Sequence, residues 1–292
     1  MLPLESVPNF SEGRDRATID AIGAALSSTA RLLDVHTDPD HNRSVFTVVG
    51  EEAALVDALA EAVACARDRI HLGLHEGAHP RIGAADVVPV VALRPEHMER
   101  AKATALQVAE RIGELALPVF LYGELAQGRG PAFFRQGGTE GLAARLAGGE
   151  LRPDLGPGKL HPTAGGVIVG ARRPLIAFNV DLGGATLEDA RAIASAVRER
   201  DGGFPGVRAL GLELPSSGRV QVSMNVEDWE ASALHEIVSR IETEAAALGA
   251  AVERAELVGL MPAGAAAAAA GAALRIDGFD ATRLIETRLL EG

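Results

Sequence analysis

Between His71 and Pro89 the chain reads HLGLHEGAHPRIGAADVVP. His71, His75, His79, Arg81 and Asp86 stand among Gly77, Pro80 and Gly83, just ahead of an apolar run, Val87 to Leu93. Pro80 removes a backbone donor and pushes the residue before it toward extended geometry. The glycines permit sharp turns. A histidine fixed in such a loop titrates near about 6.5 when unperturbed. It can take a proton from an amine nucleophile and return one to a leaving amine. A single histidine more often bonds only a backbone carbonyl. The clustering of titratable neighbours here favours a proton-transfer site.

A second polar cluster, DVHTDPDHNRS (Asp34 to Ser44), carries His36, Asp38, Asp40, His41 and Arg43. Three readings are open: a plain β-turn, for which Asp38-Pro39-Asp40 is well suited; a catalytic or ligand-orienting loop; or a metal cluster, although the spacing matches no firm metal signature. VPNFSEGRD (Val7 to Asp15) leaves a strand and opens a helix. Ser11 and Glu12 can cap that helix, or Asn9 and the helix-start amides can hold an anion. A Gly/Pro loop follows Pro153, with Lys159 and His161 as polar handles. It lacks the GK[ST] of a P-loop, and no GxGxxG follows the first strand, which disfavours nucleotide binding.

Composition narrows the class. The chain has 292 residues, 47% of them hydrophobic, and a formal charge of −12. That suffices for one large domain or two smaller ones and argues against bulk nucleic-acid binding. Aromatics at 3% provide few stacking platforms. No apolar run reaches membrane-spanning length, and MLPLESVPNF lacks the pattern of a signal peptide. The one cysteine, Cys65, rules out an internal disulfide. The expectation is a cytoplasmic protein with no nucleic-acid or membrane partner.

Periodicity supplies the scaffold. Strands are predicted at Leu4–Asn9, Arg31–Val35, Ser44–Val49, Ala85–Leu93 and Pro118–Tyr122, with helices at Arg14–Ser28, Glu51–Ile70 and Arg94–Leu115. Gly128–Pro162 reads as irregular, with a short helix near Gly141–Leu146. The second half repeats the rhythm. Its strands are Gly166–Gly170, Pro174–Leu182, a hairpin of Val207–Leu214 with Arg219–Val226, and Val252–Leu260. Its helices are Thr186–Arg200, Ser232–Leu248 and Pro262–Ala273. Each half contains strand, helix, two strands, helix, strand. This gives an α+β fold class with two ferredoxin-like (split β-α-β) subdomains, their sheets facing each other across a ligand groove.

The segments VPNFSEGR, LLDVHTDPDHNRSVFTVVG, HEGAHPRIGAADVVPV, PVFLYGE, GARRPLIAFNVDL, PGVRALGLEL, VQVSMNVED and ELVGLMP, in this order, make the chain similar to the glutamate formimidoyltransferase family. In vertebrates this formiminotransferase module is fused to a cyclodeaminase; here the resemblance is to the stand-alone bacterial type. It implies subdomains at 1–173 and 174–292. It also implies transfer of the formimino group of N-formimino-L-glutamate to N5 of tetrahydrofolate, in histidine breakdown. The implied co-substrate is tetrahydrofolate, with no metal, small-molecule substrates and a homodimer. The family's catalytic histidine maps to His79. Its folate-contacting loop maps to Gly156, Pro157, Gly158, Lys159, Leu160, His161, Pro162, Thr163, Ala164 and Gly165, where His161, Thr163 and Ala164 depart from the vertebrate form. Vertebrate members carry an aspartate at the position of His36. If a carboxylate orients the catalytic histidine, Asp38 or Asp40 substitutes here, or His36 relays differently. Arg43 and Arg81, with Asn9, are the candidates for substrate carboxylates; the alternative for either arginine is a structural ion pair. Rival functions are a folate-dependent transferase using formylglutamate or 5-formyltetrahydrofolate, a metal-dependent formiminoglutamate hydrolase, and a folate-binding protein without transfer activity.

Overall fold

A computed structural model describes every residue except Met1, Ala78, His79, Gln127, Gly128, Pro215, Ser216 and Gly292, with backbone alone for Leu290 and Glu291. The chain divides into two units, Met1–Arg173 and Pro174–Gly292.

In the first unit the elements run β1 (Leu4–Ser6), β2 (Asn9–Phe10), α1 (Arg16–Leu26), β3 (Arg31–Asp38), β4 (Arg43–Gly50), α2 (Glu52–Arg69), β5 (Ala85–Val91), α3 (Met98–Glu114), β6 (Val119–Gly123), α4 (Pro131–Phe134), α5 (Gly138–Ala147) and β7 (Val167–Arg172). β1 and β2 are two pieces of one interrupted strand, both lying between β4 and β5. With β3 at the edge, the order β3–β4–β1/β2–β5 is the split β-α-β arrangement. Two further strands extend it: β7 lies parallel to β5, and β6 parallel to β7. The rhythm of the elements grouped Gly166–Gly170 with the second half, although the 1–173 boundary implied by the resemblance leaves it in the first; in the structure that segment is β7, between β5 and β6 of the first sheet. The reason lies in its composition. A run such as Val167–Ala171 needs cover on both faces, which a position between two parallel strands supplies.

Alternation along the strands distributes the core. Val88, Val90 and Val169 join Ile22, Leu59 and Val108 from α1, α2 and α3 in one apolar cluster. Val87, Ile168 and Phe120, of opposite parity, pack with Phe134 and Leu142 from α4 and α5. The segment read as irregular with one short helix thus contains two, α5 at the expected place and α4 ahead of it, whose Leu142 and Phe134 cover the second face of β5, β7 and β6.

The second unit comprises β8 (Ile176–Gly183), α6 (Leu187–Val197), β9 (Val207–Leu214), β10 (Arg219–Val226), α7 (Leu234–Ala247), β11 (Ala251–Val258), α8 (Ala263–Leu274) and α9 (Ile285–Glu291). Its antiparallel sheet has the order β11–β8–β10–β9, again split β-α-β. Thr186 and Asp189 form a reciprocal capping box at the start of α6. Val180 and Val222 face α6 and α7. Between them in sequence, Asp181 and Gln221 are buried polar residues joined by a 2.9 Å hydrogen bond. Among the described residues no helix is long and apolar enough to cross a membrane.

Candidate active site

The polar cluster after β3 is a tight turn, Pro39–Asn42, joining β3 to β4. Asp38 organises it. One carboxylate oxygen accepts the backbone N–H groups of Asp40 and His41 at 2.8 and 2.9 Å, and the other lies 2.9 Å from His41 Nδ1. Burial would raise the Asp38 pKa, but the hydrogen bonds from the His41 ring and from the turn backbone hold it down at about 2. Asp40 lies within the turn. His36 is half-buried on β3, opposite Val45 of β4.

Asn42 ties this turn to two other segments. It adopts a left-handed φ of 46°, which asparagine tolerates better than most residues. Its Oδ1 accepts from Gly13 N–H at 2.9 Å, and its Nδ2 donates to the Glu76 carbonyl at 3.1 Å. The same Nδ2 lies 3.0 Å from His75 Nδ1, while His75 Nε2 lies 3.3 Å from Glu12 Oε2. An amide donor at Nδ1 and a carboxylate at Nε2 assign His75 as the neutral Nε2–H tautomer. Burial lowers its pKa; Glu12 opposes this, and Arg81 adds to it. Glu12 itself accepts backbone N–H groups of Arg14 and Asp15 with its other oxygen, at 2.8 and 2.9 Å.

The far side of the histidine loop is anchored by Arg81, which donates to the Asn42 carbonyl at 2.9 Å and the His41 carbonyl at 2.5 Å. Gly77 is required by the same approach: a Cβ there would lie 2.3 Å from the His41 carbonyl oxygen. His75 and Arg81 therefore fasten both sides of the stretch that holds His79. His79 itself lies outside the described residues.

Directly after this loop, Asp86 is fully buried at the start of β5. Its Oδ1 accepts from Ile82 N–H at 2.8 Å, and its Oδ2 accepts from Arg43 at 3.0 Å and Arg135 at 2.5 Å. Burial would raise this carboxyl, but Arg135 and Arg43 hold it below the ordinary range. Arg43 also donates twice to Asn9 Oδ1, at 3.0 and 2.8 Å. Arg43 is thus hydrogen-bonded to Asn9 and ion-paired with Asp86, and Arg81 is held on two main-chain carbonyls.

The predicted folate loop divides. Gly156 sits against the α3–β6 connection, where a Cβ would come within 2.2 Å of the Leu117 carbonyl oxygen. Lys159 and Pro162 are exposed. From His161 onward the loop is stitched to the histidine loop: Leu72 N–H donates to the Thr163 carbonyl, Ala84 N–H to the Ala164 carbonyl and Gly166 N–H to the Ile82 carbonyl, at 2.8–3.0 Å. His161 closes its own turn, its Nδ1 accepting from Ala164 N–H at 3.1 Å. The structure thus joins two motifs some eighty residues apart in sequence.

Two participants escaped the sequence reading, Asn42 and Arg135; His41 was read only as one member of the second polar cluster, and Glu12 only as a helix cap. Asp86 was a usable signal, since a carboxylate inside an apolar strand requires a cation. Nothing local to Arg135 identifies it as that cation. Among the described residues no group of three or more His, Cys, Asp and Glu side chains could hold a metal ion.

The chain matches the model of the formiminotransferase domain, N-terminal subdomain, over residues 3–172. The formiminotransferase domain model follows over residues 177–277. The chain belongs to the formiminotransferase family. It is 38% identical to glutamate formimidoyltransferase of Streptococcus pyogenes, covering 98% of both chains. It is 37% identical to the glutamate formimidoyltransferase of Thermoplasma acidophilum, covering 98% of this chain and 97% of the other. Formimidoyltransferase-cyclodeaminase of the mouse is 40% identical over 89% of this chain, which corresponds to 50% of the mouse protein.

Proposed function

We propose that this protein is a glutamate formimidoyltransferase that moves the formimino group of N-formimino-L-glutamate to N5 of tetrahydrofolate, releasing L-glutamate. The observation that carries the reading is near end-to-end identity of 38% and 37% to two proteins of that name. In this reaction N5 attacks the amidine carbon to give a tetrahedral intermediate. Collapse expels the glutamate nitrogen, so one nitrogen must lose a proton and the other gain one. His79 is the group we assign to both transfers, a contribution of about 10²–10⁴-fold. In support, residues on either side of it are anchored by His75 and Arg81. Binding both substrates in one orientation adds more, since effective molarities reach about 10⁵ M.

Support for His79, in place of the vertebrate aspartate, is assigned to Asp38, Asp40 or His36; in the structure the Asp38 carboxylate is engaged by the His41 ring and the turn backbone. The 156–165 loop is read as the folate contact, supported by its hydrogen bonds to residues 72–84. The wider reading is a cytoplasmic homodimer with small-molecule substrates. The lone thiol, Cys65, suits a reducing compartment, and light scattering of the purified protein tests the dimer.

The deciding assay supplies purified protein with tetrahydrofolate and either formiminoglutamate or formylglutamate, and follows the folate product spectrally. Turnover with the formimino donor is expected. Turnover with formylglutamate alone moves the assignment to the related transferase, and chelator-sensitive hydrolysis without folate moves it to the hydrolase. His79→Ala is expected to lose most turnover while still binding folate; near-normal turnover in that variant rejects the role of His79.

A further inference from the structure

Asp86 is one buried carboxylate beneath two guanidinium groups. Arg43 alone answers its charge, and Arg43 also donates twice to Asn9. Arg135 is therefore a second cation on an anion already paired. Its side chain is only 16% exposed, and its Nε is shut off from solvent with no acceptor among the described residues. Arg81, close enough to feel both Asp86 and Arg135, adds positive potential of the same sign. A buried donor without an acceptor, beside an excess of positive charge, marks a place where an anion belongs.

Position identifies which anion. Asp86 also accepts the N–H of Ile82, in the loop that contains His79, so Arg135 is coupled through one carboxylate to that loop. In folate the carboxylates lie at the far end of a p-aminobenzoyl spacer from N5. In formiminoglutamate the α-carboxylate is on the carbon that bears the reacting nitrogen. A carboxylate site next to the proton-transfer loop therefore suits the amino-acid donor.

Building on the transferase reading above, we propose that Arg135 binds the α-carboxylate of the donor amino acid, with Arg43 and Arg81 as positioning residues. Guanidinium is the group of choice for this task, because its planar fork matches a carboxylate. Arg43 holds Asp86 in place, and Asp86 in turn presents Arg135.

The test compares wild type with Arg135→Gln and Arg135→Lys. Loss of one charge-assisted contact should raise the KM for formiminoglutamate about 10- to 100-fold in Arg135→Gln, with the KM for tetrahydrofolate changed less than about threefold. Arg135→Lys should fall between. The donor's α-amide should be a poor substrate for wild type and no poorer for Arg135→Gln. Calorimetric binding of L-glutamate, lost in the variant, is a readout independent of turnover. It decides the carboxylate site even if the wild-type protein transfers no formimino group, an outcome that rejects only the transferase reading. Should Arg135→Gln not fold, the lysine variant decides: a donor-specific KM rise supports the site. Equal changes for donor and folate, or unchanged L-glutamate binding, would show that Arg135 only supports Asp86.

Discussion

Asp38 and His41 form a dyad in which a carboxylate oxygen and Nδ1 are 2.9 Å apart, with the imidazole nearly buried and the carboxylate also closing the turn beneath it. Asp38 is held at about 2 when folded, against about 3.9 in an unfolded chain. A depressed carboxylate stabilises the fold above its unfolded pKa and loses that contribution as pH falls through the folded value. The window is thus about pH 4 down to 2, and the contribution about 2 kcal/mol. Denaturant melts of wild type and Asp38→Asn should converge in stability across that window; a constant difference between them would contradict the dyad's role.

Asp86→Asn should be more damaging. It leaves Arg43 and Arg135 without their shared counter-charge, and breaking a buried pair costs about 3–5 kcal/mol. Adding Arg135→Gln should recover part of the loss, because one uncompensated cation is then removed. Urea unfolding of the two single variants and the double variant measures the coupling, and strict additivity would refute it.

His75 should be neutral at pH 7, with its proton on Nε2, and should titrate below the usual histidine range. The unfolded chain then takes up the proton first. Stability is retained above about pH 6.5 and declines as pH falls from there through the folded value. Nitrogen-15 NMR of the ring reads the tautomer directly, and His75→Gln should lack this component of the pH slope.

Gly165→Ala probes the seam between the two motif loops. Gly165 has φ +70°, and a Cβ there would sit 2.1 Å from the Ile82 carbonyl oxygen. Strain and clash together should cost at least about 2 kcal/mol and weaken folate binding. Gly158→Ala is the control: nothing lies within 4 Å of its Cβ position, so stability should change by less than about 0.5 kcal/mol. Similar losses in both variants would mean that the seam has no special role.

Local patterning carried most of the scaffold. Thr186 with Asp189 announces the start of α6, and alternation around Pro215–Gly218 gives β9 and β10 their limits. Periodicity found the strand at β7 but not its partners, because a short apolar run has the same appearance beside either half; its place between β5 and β6 is decided by which strands need covering. For the candidate site, residue type and turn chemistry were legible at His75, Asp38 and Arg43. Their partners were not. Asn42 acts through a left-handed backbone that brings its side chain to Gly13 and His75, and Arg135 meets Asp86 across 49 positions of sequence.

The parallel placement of β7 beside β5 also has a consequence for folding order. Antiparallel β1–β5 closes from segments early in the chain, whereas the Ile82–Gly166 and Ala84–Ala164 bonds wait for residues just ahead of the strand that begins at Val167. Such long-range closure is slow relative to local pairing. A nascent chain that has not yet released Arg172 can hold much of the first core and still lack the wall that residues 163–166 give the histidine loop, so that wall is among the later parts of this unit to close.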